Sequence, residues 1–173
     1  MAAKWTDFVA GDILTAQQLN DVLDNFQDIA IFNETQSSGT EGGTLTSGSF
    51  VKRTLNTTVV NNITGCSIAS SVITLPAGTY YFLGRAPAFN VQGNQTRIQN
   101  TTAATTVQLG ATMYVSSNNT CINLVEGVVT ITGNTNFELQ HRCSLTVNTN
   151  GLGAAQSFGN SEIYSQLSIR RIA

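Results

Sequence analysis

Between residues 137 and 147 the chain reads FELQHRCSLTV, and every second side chain is of one kind. Phe137, Leu139, His141, Cys143, Leu145 and Val147 share one face, while Glu138, Gln140, Arg142, Ser144 and Thr146 share the other. Successive side chains of a strand point to opposite sides, so this alternation predicts β-structure with one buried face. The run TVQLGATMYV repeats the pattern through Val107, Leu109, Ala111, Met113 and Val115. Shorter runs of similar character lie around residues 57–64, 68–75, 79–90, 95–99, 122–132 and 162–172, separated by turn clusters such as PAGT, SSNN and TGNTN. The spacing predicts an all-β domain, an antiparallel β-sandwich or jelly roll of about eight strands. The last run ends near the C-terminus, which suits a strand held in the middle of a sheet. Pro87 falls in or beside a strand and predicts a local edge or a bulge.

Composition agrees. The chain holds 24 Thr, 17 Asn and 15 Gly among 173 residues, and only 10% of residues are charged. Thr suits strands, and Asn and Gly suit turns.

One segment departs from this pattern. Residues 12–33 read as a helix, with Thr15 and Gln18 forming a capping box and Leu19, Val22, Leu23, Phe26, Ile29 and Ala30 forming one apolar stripe. Residues 33–50, NETQSSGTEGGTLTSGSF, have no periodicity and read as a linker or mobile loop. The expected organisation is therefore an arm and helix over 1–34, a linker over 35–49 and a β-domain over 50–173. The formal net charge of −2 divides unevenly, with seven acids and one base before residue 42 and three acids and seven bases after it. The two parts are thus expected to face different neighbours.

The search for chemistry yields little. His141 is the sole histidine and lies on the apolar face of its strand, where an interior or interface role is expected. Cys143 shares that face but stands ~7 Å further along the strand, too far for a nucleophile–base pair. Glu126, Glu138 and Glu162 show no pairing suited to glycoside hydrolysis. There is no phosphate loop, calcium loop or zinc spacing. No cofactor, no metal and no enzymatic activity are expected. Cys66, Cys121 and Cys143 are expected as reduced, partly buried thiols, in keeping with folding in a reducing cytosol. The opening MAAKWTDF lacks the apolar core of a secretory signal. No basic run points to nucleic acid, and no apolar run approaches the ~20 residues of a membrane span.

Two resemblances add to this reading. Gly78, Tyr80 and Phe82 in PAGTYYF resemble the G-x-Y-x-F strand of C1q and tumour-necrosis-factor-like jelly rolls. Ser157, Phe158, Gly159, Ile163 and Tyr164 resemble that family's later S-x-F-x-G-x-x-x-Y region, with altered spacing. The resemblance covers residues 50–173 and implies a homotrimer packed around a three-fold axis. The N-terminal F-x-x-G-D-x-L-T-A-x-x-L-N-x-x-x-x-N (Phe8, Gly11, Asp12, Leu14, Thr15, Ala16, Leu19, Asn20 and Asn25) resembles the opening segment of tailed-bacteriophage virion proteins. That resemblance implies a virion location after synthesis in the host cytoplasm, and an arm that docks on the particle while the C-terminal domain projects outward.

Together these predict a homotrimeric capsid decoration or cement protein whose partners are its own copies and the major capsid protein or another virion protein. The attachment residues expected are Trp5, Phe8, Leu14, Leu19, Leu23 and Phe26. The alternative is a tail-fibre or receptor-binding tip that binds a host surface glycan, with Phe89 and Phe158 as candidate stacking residues.

Overall fold

A computed structural model of the chain describes residues 11, 13, 15–20 and 28–172. Twelve strands make up the described β-structure: β1 (Ile29–Gln36), β2 (Val51–Lys52), β3 (Thr57–Asn61), β4 (Ser67–Ala69), β5 (Val72–Leu75), β6 (Gly78–Phe89), β7 (Gln92–Asn100), β8 (Thr105–Leu109), β9 (Met113–Val115), β10 (Thr120–Ile131), β11 (Thr135–Cys143) and β12 (Glu162–Arg171). They form two antiparallel sheets. One has the order β10-β6-β12-β1-β3 and the other β4-β5-β11-β7-β8, with β2 added to β11 and β9 to β7.

The sheets close over the residues that the period-two pattern points inward. Phe32, Tyr80, Phe82, Ile98, Phe137, Leu139, Leu167 and Ile169 are fully buried between them. The Phe82 and Phe137 rings meet across the two layers at 5.2 Å in a tilted arrangement, a favoured aromatic geometry. β12 lies centrally, between β6 and β1, as its terminal position predicts. Pro87 pairs with Ile122 of β10, while β12 pairs with β6 only as far as Arg85, so Pro87 occupies a local edge.

Three expectations need correction. The helix does not extend over residues 29–33, which form the first half of β1. Ala30, Phe32 and Glu34 alternate inward there, and pairing with β12 and β3 outweighs the helical reading of Ile29 and Ala30. Residues 21–27, the middle of the expected helix, lie outside the described residues. What is described is one helical turn at residues 16–20, capped as predicted. The Thr15 hydroxyl accepts from Gln18 N at 3.2 Å, and the Gln18 side chain accepts from Thr15 N at 2.8 Å.

The segment expected as a linker is stitched into the sandwich. Gly42 N donates to Gly153 O, Gly43 N to Thr149 O, and Leu45 pairs with Val147 and is fully buried. Finally, the alternating run at 107–115 is divided into β8 and β9. The backbone at Gly110 passes so close to β10 that a Cβ would meet Leu124 O at 2.4 Å, so only glycine fits and the strand breaks there.

Strand directions define two poles. Asp28, the 62–66 and 131–135 turns and Ile172 lie at one, where Arg171 N donates to Asp28 O and Ile172 N to Thr79 O. Residues 37–50, 90–92, 116–119 and 144–161 gather at the other. Twelve-residue β6 runs from one pole to the other, a span of about 36 Å.

Candidate functional site

The outward face of the five-stranded sheet is the first candidate surface. Cross-strand register places Val128, Tyr81, Arg170 and Ile29 in one row, and Glu126, Leu83, Ser168 and Ile31 in the next. A third row holds Leu124, Arg85, Gln166 and Asn33. Leu124, Val128 and, further along β10, Ile122 are each about half exposed or more. The sheet thus turns a mixed surface outward, with Ile29, Ile31, Tyr81, Leu83, Leu124 and Val128 set among Glu126, Arg85, Arg170, Ser168, Gln166 and Asn33, and its aliphatic share is unusual for a strand face left to water. Part of its polarity is satisfied within the face: Tyr81 OH donates to Glu126 Oε1 at 2.7 Å, and that bond raises the tyrosine pKa. A hollow of about 530 Å³, lined by Ile29, Tyr81, Leu83, Arg170 and Ile172, indents this face.

The second candidate surface is the pole of loops. Its backbone is held by acids. Glu162 Oε1 accepts from Gly39 N, Gln156 N and Ser157 N at 3.1, 3.2 and 2.9 Å. These donors, Ser157 first, hold the Glu162 carboxyl below its usual pKa. Glu41 Oε2 accepts from Ala155 N at 2.7 Å, and Tyr164 OH donates to Thr40 O at 2.7 Å. Beneath them lies a buried ion pair, with Arg53 Nη2 at 3.3 Å from Glu34 Oε2. The same nitrogen donates to Leu152 O at 2.8 Å, and Ser165 Oγ donates to Glu34 Oε2 at 2.8 Å. Burial lowers the Arg53 pKa to about 10 even though Glu34 acts in the opposite direction. Phe158 is carried at the tip of this framework, 81% exposed, whereas Phe89 is only partly exposed at the end of β6.

His141 takes the interior place expected of it. Its Nε2 lies 3.2 Å from Asn94 Oδ1 and 3.3 Å from Asn123 Nδ2. Burial, and then the nearby Arg53 charge, push its pKa down to about 3. Cys143 turns its thiol to Leu145 O at 3.1 Å, and burial raises its pKa. Ring and thiol thus have separate partners. The three carboxylates singled out in the β-domain also diverge. Glu126 faces outward from one sheet, Glu138 outward from the other beside Lys52, and Glu162 lies in the loops. No cluster of three metal-ligating acids, cysteines or histidines occurs among the described residues. Cys66, Cys121 and Cys143 are free thiols.

Of the expected attachment residues, Trp5, Phe8, Leu14, Leu23 and Phe26 lie outside the described residues. Leu19 sits on the helical turn, about half exposed. Sequence reasoning missed the Arg53–Glu34 pair and the Glu162 clamp. The signal for the first was slight: Glu34 lies two residues after Phe32, and Arg53 lies between Val51 and Leu55 at a spacing of two. The second depends on two loops meeting and left no local trace.

No family model and no curated protein matches the sequence. Solved structures do. The globular domain of zebrafish complement 1qA superposes with a TM-score of 0.55 at 12% identity, over 84% of this chain and 98% of that one. Murine APRIL at pH 8.5 is also similar, with a TM-score of 0.48 at 9% identity, over 82% of this chain and 98% of that one. At such identity the likeness speaks for the fold. The two sheets, their antiparallel register and the superposition on the complement domain give this chain a jelly-roll fold similar to that of the C1q globular domain.

Proposed function

We propose that this chain is a homotrimeric structural protein of a phage particle, a capsid decoration or cement protein held by its N-terminal arm. The observation that carries the self-association is the set of apolar side chains on the outer face of the five-stranded sheet. Tyr81, Leu83, Leu124 and Val128 on β6 and β10, with Ile29 and Ile31 on β1 beyond Arg170 and Ser168, offer apolar area that a second and third copy would cover. Burying such side chains contributes about 1.5–3 kcal/mol each in favourable cases.

The polarity of the molecule supports the attachment part. Residues before Asp28 join at one pole, and the acid-braced loops lie at the other. A module gripped through residues 1–27 would present those loops outward. The resemblance of residues 8–25 to phage virion segments supports a phage particle in this reading, and three arms on one trimer would act together through avidity. In this reading the chain binds and assembles and has no catalytic role.

Two measurements test it. Light scattering of the full chain should give three times the monomer mass, and a monomer at micromolar concentration would overturn the trimer. Cryo-electron microscopy of the particle should place density for this chain on the capsid surface. Density confined to the tail tip would replace the cement role with receptor binding.

A further inference from the structure

The outer face of the seven-stranded sheet carries a groove of about 430 Å³ near the loop pole. Among the described residues of its lining Arg142 alone is charged, beside Ser47, Gln95, Thr112 and Ser144. The hydroxyl oxygens there already serve as acceptors. Ser47 Oγ accepts from Thr146 Oγ1 at 3.0 Å, Ser144 Oγ from Gly93 N at 3.0 Å, and Thr112 Oγ1 from Gln95 Nε2 at 3.3 Å. Each hydroxyl proton is left to donate. The Arg142 guanidinium has no hydrogen-bond partner among the described residues and is positioned over the Phe50 ring, 5.4 Å from its centre. Arg97 covers the same ring at 4.0 Å, with its own donors turned to Gln140 and Thr106. Two cations therefore share one ring, and the nearest acid on that face, Glu138, is taken by Gln140 and Lys52.

A groove that offers donors, carries a ring-oriented guanidinium and lacks a carboxylate is complementary to an oxyanion set among oxygen acceptors. Its volume falls in the range of small-ligand sites, ~300–1,000 Å³, which is large for an inorganic ion. From this geometry we infer that the groove binds an acidic saccharide, with its carboxylate on Arg142 and its ring and hydroxyl oxygens on Ser47, Thr112 and Ser144. The site lies on the sheet opposite the proposed trimer face and near the pole away from the arm. It stays open in the proposed assembly, and it does not depend on that assembly being right.

Calorimetric titration of the full chain tests this, with methyl β-glucuronide as ligand, methyl β-glucoside as the neutral control and inorganic phosphate as the bare anion. The glucuronide should bind at least tenfold more tightly than either control. Arg142→Gln should weaken it at least tenfold with an unchanged melting temperature, since the side chain is exposed. Arg142→Lys should recover part of the affinity, and Phe50→Leu should lose several-fold. Undetectable glucuronide binding at millimolar concentration, equal binding of glucoside or phosphate, or unchanged affinity in Arg142→Gln would each overturn the site. A chain that is monomeric yet binds glucuronide would refute the trimer and leave the groove standing.

Discussion

His141 is neutral in the fold at any pH above about 3, whereas an unfolded histidine takes a proton near 6.5. As pH falls from 6.5 toward 3 the unfolded chain binds a proton that the folded one refuses. Its contribution is therefore fully present above 6.5 and is lost progressively below it, by up to about 1.4 kcal/mol per pH unit. Urea titrations between pH 7 and 4 should show this slope, and His141→Gln should flatten it. The Arg53–Glu34 pair makes a second residue-scale prediction. Glu34→Gln leaves a guanidinium buried without its counter-charge, and unfolding free energy should fall by about 3–5 kcal/mol. Replacing both residues with apolar ones should cost less than either single change, because no charge is stranded. Gly153, at φ +143, has the Tyr164 ring against its Cα, where a Cβ would come within 2.3 Å of Cδ1. Gly153→Ala should cost about 1–3 kcal/mol by overpacking.

At the scale of elements, β1 decides where the fold begins. Removing residues 1–26 should leave the sandwich intact by circular dichroism and melting. Removing residues 1–30 deletes buried Ala30 and the Ile29–Arg170 and Ala30–Ile169 pairings, and should lower the melting temperature markedly. The loop clamp makes a prediction of a different kind. Glu162→Gln should speed amide exchange at Gly39, Gln156 and Ser157 while leaving exchange in the core strands unchanged.

The same elements show what could be read in advance. β6, β10, β11 and β12 were legible because one side of each strand is core, and a half-buried strand leaves a period of two. β1 was misread because Ile29 and Ala30 continue a helical stripe, and only their partners in β12 and β3 decide the matter. The 37–50 segment looked like a linker because Gly, Ser and Thr carry no period. Its order comes from carboxylates and carbonyls distant in sequence. Of the candidate sites, the buried place of His141 followed from its strand position, but the Arg142 groove requires Ser47, Thr112 and Ser144 to meet, which no spacing reveals.

For the whole molecule, the contrast between its two outer faces organises the predictions. One sheet sets aliphatic side chains among polar ones, and the other is polar with two arginines stacked on Phe50. Under the proposed assembly, a charge placed in the first, Val128→Asp or Leu83→Asp, should turn the trimer into a folded monomer by light scattering. The same change on the second face, Gln140→Asp, should leave the oligomer alone.

The residues at the two ends of the described sandwich, Asp28 and Arg171, are hydrogen-bonded neighbours. A cargo fused after Ala173 would therefore emerge on the side where the chain enters the sandwich at Asp28, crowded, under the proposed function, against the particle. Peptides spliced into the 145–161 loops would instead stand clear of it, so a display scaffold made from this protein should be loaded through its loops rather than its tail.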